Sequence, residues 1–244
     1  MLDELSYEVK LLIGIVVLII IVMIIVNTMY NDRLSLDDRL SLDDISKQYS
    51  LDKSSNYHDY SVYYDNILSD IRNKPIKMIE IGIGTLEEGK SSMKHHWNDK
   101  NDPIKKSYLP GNSLRAWKQY FHNLDYIVGI DVKKDCMFEE PNIKTELLDS
   151  TSSDNTNIIR EKYGGNFDVI LDDGLHAIES QVNTFIAFWP LLKKNGIYLI
   201  EDIKDPYTLK NQLEKYVENP IHIQECGGLN KGIMNSYIIK IVKL

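Results

Sequence analysis

Ile76-Lys-Met-Ile-Glu80-Ile-Gly82-Ile-Gly84 decides how the rest of this 244-residue chain is read. A short apolar run that breaks off at two glycines describes a strand buried on both faces, followed by a turn tight enough for backbone to approach a ligand. Three further runs have the same form: Tyr126–Asp131 (YIVGID), Phe167–Asp172 (FDVILD) and Gly196–Asp202 (GIYLIED). Another strand is expected just before Leu147-Leu-Asp149-Ser150. Between the strands lie helical stretches, Ser113–Phe121, Thr156–Tyr163 and Glu179–Leu192. Strands alternating with helices imply right-handed crossovers and a doubly wound, Rossmann-like α/β fold. The last two strand-like runs, Ile221–Cys226 and Tyr237–Lys243, are joined through Gly227-Gly228 and read as a closing hairpin.

Composition allows a sizeable core, with 43% hydrophobic and 26% charged residues. The formal net charge of −8 argues against a nucleic-acid partner, because phosphate binding needs clustered Lys and Arg. Two cysteines, Cys136 and Cys226, imply no disulfide framework. The N-terminus is different in kind. Leu11–Val26 reads LLIGIVVLIIIVMIIV, and its extension to Tyr30 reaches the roughly 20 apolar residues that a membrane-spanning helix needs. Asp3, Glu4 and Glu8 before it, and the poor cleavage site at Asn27-Thr28-Met29, speak against a signal peptide. Residues 1–30 are therefore expected to be a single-pass membrane anchor, contacting the membrane through residues 11–30. Lys10 on one side and Arg33 with Arg39 on the other leave its orientation open. Residues 31–48 are expected to be a juxtamembrane spacer carrying the tandem hexapeptide Arg33-Leu-Ser-Leu-Asp-Asp38 and Arg39-Leu-Ser-Leu-Asp-Asp44. The catalytic-type domain is expected over 49–244.

In open α/β sheets ligands bind at the carboxyl ends of the strands. There Gly82 and Gly84 allow close backbone approach, and Glu80 can accept hydrogen bonds. The dinucleotide fingerprint wants a third glycine where this chain has Glu87, and an acid facing the site repels a pyrophosphate. The ammonium of S-adenosylmethionine tolerates it. Asp131 can accept both hydroxyls of a ribose, or else cap a helix. Asp149 and Ser150 stand where a side chain meets an adenine amino group. Asp172-Asp173-Gly-Leu-His176 and Glu201-Asp202 end neighbouring strands, about 4.8 Å apart in a parallel sheet. Carboxylates gathered there repel one another unless a cation lies between them, and all-oxygen ligands point to magnesium, calcium or manganese. His176 is close enough to take a proton from a hydroxyl bound at such an ion.

Together Glu80-Ile-Gly-Ile-Gly84, Pro110-Gly-Asn-Ser113-Leu-Arg-Ala-Trp117, Gly129-Ile-Asp131, Asp172-Asp-Gly-Leu-His176 and Leu191-Leu-Lys-Lys-Asn-Gly-Ile-Tyr-Leu-Ile-Glu-Asp202 resemble the class I methyltransferases. The resemblance is to their macrocin and mycinamicin sugar O-methyltransferase type, and it covers roughly Tyr49 to Leu244. Tyr49-Ser-Leu-Asp-Lys53 with His58, Tyr60 and Tyr64 resembles the lead-in of that group. The resemblance implies a seven-stranded sheet and S-adenosylmethionine held by Glu80, Gly82, Gly84, Ser113, Asp131, Asp149, Ser150 and Asp172. It further implies magnesium held by Asp173, Glu201 and Asp202, with His176 as catalytic base on a sugar hydroxyl. A catechol-like or other small-molecule O-methyltransferase, and a catalytically silent binding domain of this fold tethered to a membrane, are the alternatives. A homo-oligomer is compatible with either. The segment 87–109 departs from a simple turn and is expected to form a lid or substrate loop.

Overall fold

The computed structural model describes residues 6–37, 40–89, 91–98, 100 and 102–244. The chain divides into two units, Met1–Leu40 and Ser41–Leu244. The first is helix α1, Tyr7–Asp37. Within it Val9–Thr28 has a mean hydropathy of 3.4 and no buried residue, and is long and apolar enough to cross a membrane.

The second unit carries the sheet. In chain order its elements are α2 (Leu42–Gln48), α3 (Tyr60–Leu68), β1 (Ile76–Ile81), α4 (Asn112–Tyr120), β2 (Leu124–Asp131), β3 (Ile143–Leu147), α5 (Ser153–Tyr163), β4 (Phe167–Asp172), α6 (Ile178–Phe188), β5 (Leu192–Ile200), α7 (Pro206–Leu213), β6 (Ile221–Glu225) and β7 (Tyr237–Val242). The seven strands lie in the order β3-β2-β1-β4-β5-β7-β6. Neighbours from β3 to β5 pair in parallel, while β7 runs antiparallel to both β5 and β6. The order reverses at β1, which is where a doubly wound sheet opens its ligand crevice. The apolar runs have the burial that two covered faces require: all of β4 is buried, and so is β1 except Lys77.

The closing hairpin of the sequence reading is present as β6 and β7, although their connection runs from Cys226 to Ser236 rather than through the two glycines alone. The helix expected over Glu179–Leu192 stops at Phe188, and a tighter 3₁₀ turn carries Trp189–Leu191, where Pro190 cannot donate to an α-helical ladder. Phe185 and Phe188 are fully buried against β4 and β5 residues such as Ile170 and Tyr198. Burial of this kind contributes about 1.5–3 kcal/mol per side chain.

The two hexapeptide copies part company. The first lies at the end of α1 except for Asp38, which is outside the described residues, as is Arg39 of the second copy. In the second, Ser41 caps α2 in a reciprocal capping box with Asp44, and Leu42 is buried. Burial alone would raise the Asp43 carboxyl, yet hydrogen bonds from Lys47, Ser55 and Ser61 bring it down to about 2. The folded unit thus begins at Ser41, earlier than the start expected at Tyr49, because α2 packs on α3 and α4 rather than serving as a spacer.

Candidate functional site

Backbone register lines up the candidate groups. Ile130, Ile81, Asp172 and Ile200 are partners across β2, β1, β4 and β5. One residue further on, Gly82 N–H donates to Ile130 O (2.8 Å), Asp173 N–H to Ile81 O (2.8 Å) and Glu201 N–H to Asp172 O (2.9 Å). Asp131, Gly82, Asp173 and Glu201 therefore leave the sheet on a single row. A cavity of about 500 Å³ opens on that row.

Part of the cavity lining is glycine and acid. Gly82 has φ +80°, and a Cβ there would lie 2.0 Å from the Asp173 carbonyl oxygen. Gly84 has φ +78°, and a Cβ there would meet the Tyr108 hydroxyl at 2.0 Å. These two positions admit only glycine without rearrangement. Asp131 lines the cavity, accepting from Ile83 N–H (3.0 Å) and Lys133 N–H (2.9 Å). Ser113, Asp149 and Ser150 also line it. Asp149 is closed into a turn by Thr151, whose backbone and hydroxyl donate to it at 2.9 and 2.7 Å and hold its pKa down. Ser150 exchanges a hydrogen bond with Thr184 at 3.1 Å.

Another part of the lining is carboxylate and imidazole. Asp173, His176 and Asp202 line it, and one ligand atom from each lies within 4.8 Å of the others. The His176 Nε2 is 3.4 Å from Asp202 Oδ2. Asp202 has φ +52°, a left-handed conformation costing a non-glycine residue about 1 kcal/mol and concentrated at functional sites. The carboxylate oxygens of Asp173 and Asp202 at this spacing fit a hard divalent cation, with the His176 imidazole beside them. The two glycines beside an acid that lines the cavity fit an adenosine-bearing ligand.

Glu80, Asp172 and Glu201 stand behind the cavity wall, at most 2% exposed. Burial pushes Asp172 up to about 7, with one oxygen accepting from Gly174 N–H at 3.1 Å and the other without a partner. Below the ordinary carboxylate pKa both folded and unfolded chains are protonated. As pH rises towards 7 only the unfolded chain ionises, so folding stability falls over that window. Asp172→Asn is therefore expected to reduce the pH dependence between about 4 and 7 and to be more stable at pH 8 by on the order of 3 kcal/mol. Urea unfolding of both chains at pH 5 and 8 measures this, and equal slopes would refute it.

Lys53 is a functional candidate that no local sequence pattern marks. Its ammonium is 2.5 Å from Asp173 Oδ2, 2.5 Å from Glu201 Oε2 and 3.9 Å from Glu80 Oε1. Burial disfavours its charge, but the carboxylates of Asp173 and Glu201 outweigh that and keep it protonated. One ammonium cannot neutralise three acids, of which Glu80 and Glu201 are buried and Asp173 half-buried. Burial accordingly lifts Glu80 to about 7 and raises Asp173 and Glu201 as well, against the opposing pull of Lys53. Tyr64 donates to Glu201 Oε1 at 2.5 Å and Tyr60 to Asp202 Oδ1 at 2.7 Å. His58 Nε2 lies 3.6 Å from the same Asp202 oxygen. Tyr60 and Tyr64 are four apart on α3, a spacing that puts two hydroxyls on one helix face. That spacing was the local signal for their pairing with two consecutive acids. Lys53 had none.

The segment 87–109 contributes Ser91, Met93 and Tyr108 to the cavity lining. Asp135 holds its approach, accepting from Thr85 Oγ1 (2.6 Å) and Leu86 N–H (2.7 Å). His95 meets Gly89 O at 2.7 Å and His96 meets Asp102 at 2.6 Å.

This strand order, with an antiparallel β7 inserted between β5 and β6, matches solved methyltransferases. MycE methyltransferase from the mycinamycin biosynthetic pathway, in complex with Mg, SAH and mycinamycin VI, superposes with a TM-score of 0.61 at 23% identity, over 84% of this chain and 55% of that one. The domain has the class I methyltransferase fold. No family model matches the chain. In sequence it is 30% identical over 198 residues to mycinamicin VI 2''-O-methyltransferase of Micromonospora griseorubida, covering 80% of this chain and 42% of the relative. It is 29% identical over 163 residues to demethylmacrocin O-methyltransferase of Streptomyces fradiae, covering 67% and 36%. The methyltransferase-fold chain thus spans less than half the length of these curated relatives, which are sugar O-methyltransferases of the macrocin and mycinamicin type.

Proposed function

We propose that this chain transfers a methyl group from S-adenosylmethionine to a hydroxyl of a sugar carried on a glycan or glycoconjugate, assisted by magnesium. The observation that carries the reading is the cavity itself, lined both by the Gly82–Gly84 turn with Asp131 and by the cluster of Asp173, His176 and Asp202. Gly82, Gly84, Ser113, Asp131, Asp149 and Ser150 would hold the methyl donor, with Glu80 and Asp172 supporting that wall from behind. Asp173 and Asp202, with Glu201, would hold the ion. When bound, the ion lowers the pKa of an acceptor hydroxyl and orients a neighbouring one.

His176 takes the proton from the acceptor hydroxyl at Nε2, and Asp202, 3.4 Å away, stabilises the imidazolium that forms. The freed oxygen lone pair bonds to the methyl carbon as the carbon–sulfur bond breaks, its electrons going to sulfur. Tyr60 and Tyr64 hold the two acids in place from α3. Met93 and Tyr108 cover the cavity from the 87–109 segment, which limits water at the reacting atoms.

Helix α1 supports a second part of the reading, that the domain is tethered to a membrane through Val9–Thr28, at a surface where glycolipid acceptors are held. Transfer of labelled methyl to candidate glycans, with and without chelator, tests the activity. The expected result is transfer that disappears on chelation and returns with magnesium. Transfer that survives chelation would remove the metal from the mechanism, and a catechol preferred over every sugar would remove the sugar.

A further inference from the structure

The lead-in between α2 and α3 delivers a single lysine to the carboxylate part of the cavity lining. Lys53 is 4% exposed, and its ammonium contacts the same two acids, Asp173 and Glu201, that the metal-assisted reading gives to a divalent ion. The remaining oxygen of Glu201 is taken by the Tyr64 hydroxyl at 2.5 Å, so both of its oxygens are committed. A divalent ion bonded to those oxygens at about 2.1 Å would collide with an ammonium nitrogen held in the same place. Like charges so close would also repel strongly in a buried site. A second seat for the ammonium exists. Glu80, 3.9 Å away and fully buried, completes no hydrogen bond with either oxygen, although Ser113 and Trp117 lie near it. The flexible four-carbon stem of lysine can make that move.

We propose that Lys53 is the resident cation of this cluster, and that a divalent ion gains Asp173 and Glu201 only by displacing its ammonium towards Glu80. Lys53 thereby sets the metal affinity of the site. The inference rests on the metal-assisted reading above, and it adds an internal competitor that the reading does not require. Metal binding becomes an exchange of one cation for another rather than the filling of an empty acid cluster.

The test is a manganese titration of the full chain, followed by the electron spin resonance of the free ion, for wild type, Lys53→Met and Lys53→Arg. With the competitor removed, Lys53→Met is expected to bind manganese at least about tenfold more tightly than wild type, and the charge-retaining Lys53→Arg no more tightly. Manganese bound by wild type but no more tightly by a folded Lys53→Met overturns this inference alone. Binding by none of the three chains overturns the metal-assisted reading with it. Lys53→Met leaves buried acids without their counter-ion and can fail to fold, so a second measurement uses wild type. Lysine side chains labelled with ¹⁵N give an ammonium resonance for Lys53, assigned by its loss in Lys53→Arg. Saturating magnesium is expected to shift that resonance, and an unmoved resonance overturns the exchange.

Discussion

His176→Ala is expected to lower methyl transfer by about 10²–10⁴-fold while leaving binding of S-adenosylhomocysteine unchanged. The size follows from the base role proposed for it. His176 is the imidazole in the carboxylate part of the cavity lining, with Nε2 3.4 Å from Asp202. Gly82, Gly84 and Asp131, the residues proposed to hold the adenosine, line the same cavity but are held by strand and turn backbone rather than by the imidazole. Single-turnover transfer measured beside calorimetric binding separates the two effects. Full activity in His176→Ala would remove the imidazole from the chemistry, and a loss of cofactor binding of equal size would recast it as part of the donor pocket.

Gly82→Ala is expected to destabilise the fold by about 3 kcal/mol or more, and to abolish cofactor binding in whatever folds. Two penalties combine. The position has φ +80°, a left-handed conformation that costs an L side chain about 1 kcal/mol. The added methyl would also lie 2.0 Å from the carbonyl oxygen of Asp173, and that backbone is tied to β1 through Asp173 N–H and Ile81 O. Relief therefore means opening the β1–β4 edge where the cavity begins. Urea unfolding reads the first effect and calorimetry the second. An alanine variant within about 0.5 kcal/mol of wild type would show that the row of strand ends is not as tightly packed as its geometry requires.

Much of the fold is legible in short stretches, since buried parallel strands are near-continuous apolar runs. Phe167–Asp172 is a strand over the residues its apolar run marks, and Asp131 closes its own run, but the alignment of Asp131, Gly82, Asp173 and Glu201 on one row comes from the pairing register of the sheet. Boundaries that depend on packing were less legible. The identical hexapeptides illustrate this: the first continues α1, while Ser41 and Asp44 of the second form a capping box that starts a new helix. Propensity is the same in both copies, and what differs is the partner, because Asp43 finds donors on Ser55 and Ser61 that only the folded domain supplies.

The residues that end the strands were determined by the sequence alone: two glycines that nothing larger could replace, and acids placed where a parallel sheet opens. Their division into two roles belongs to tertiary structure. Asp173 and Asp202 face the cavity with His176, whereas Glu201, adjacent to Asp202 in the chain, is buried against Lys53 and Tyr64. Lys53 is 120 residues from Asp173 and 148 from Glu201 in sequence, so no local pattern carries that contact. Burial is what makes it strong, because an ammonium removed from water must find carboxylates and those carboxylates must find a cation. The Ile76–Gly84 stretch reveals the crevice, and only the fold decides which charge sits in it.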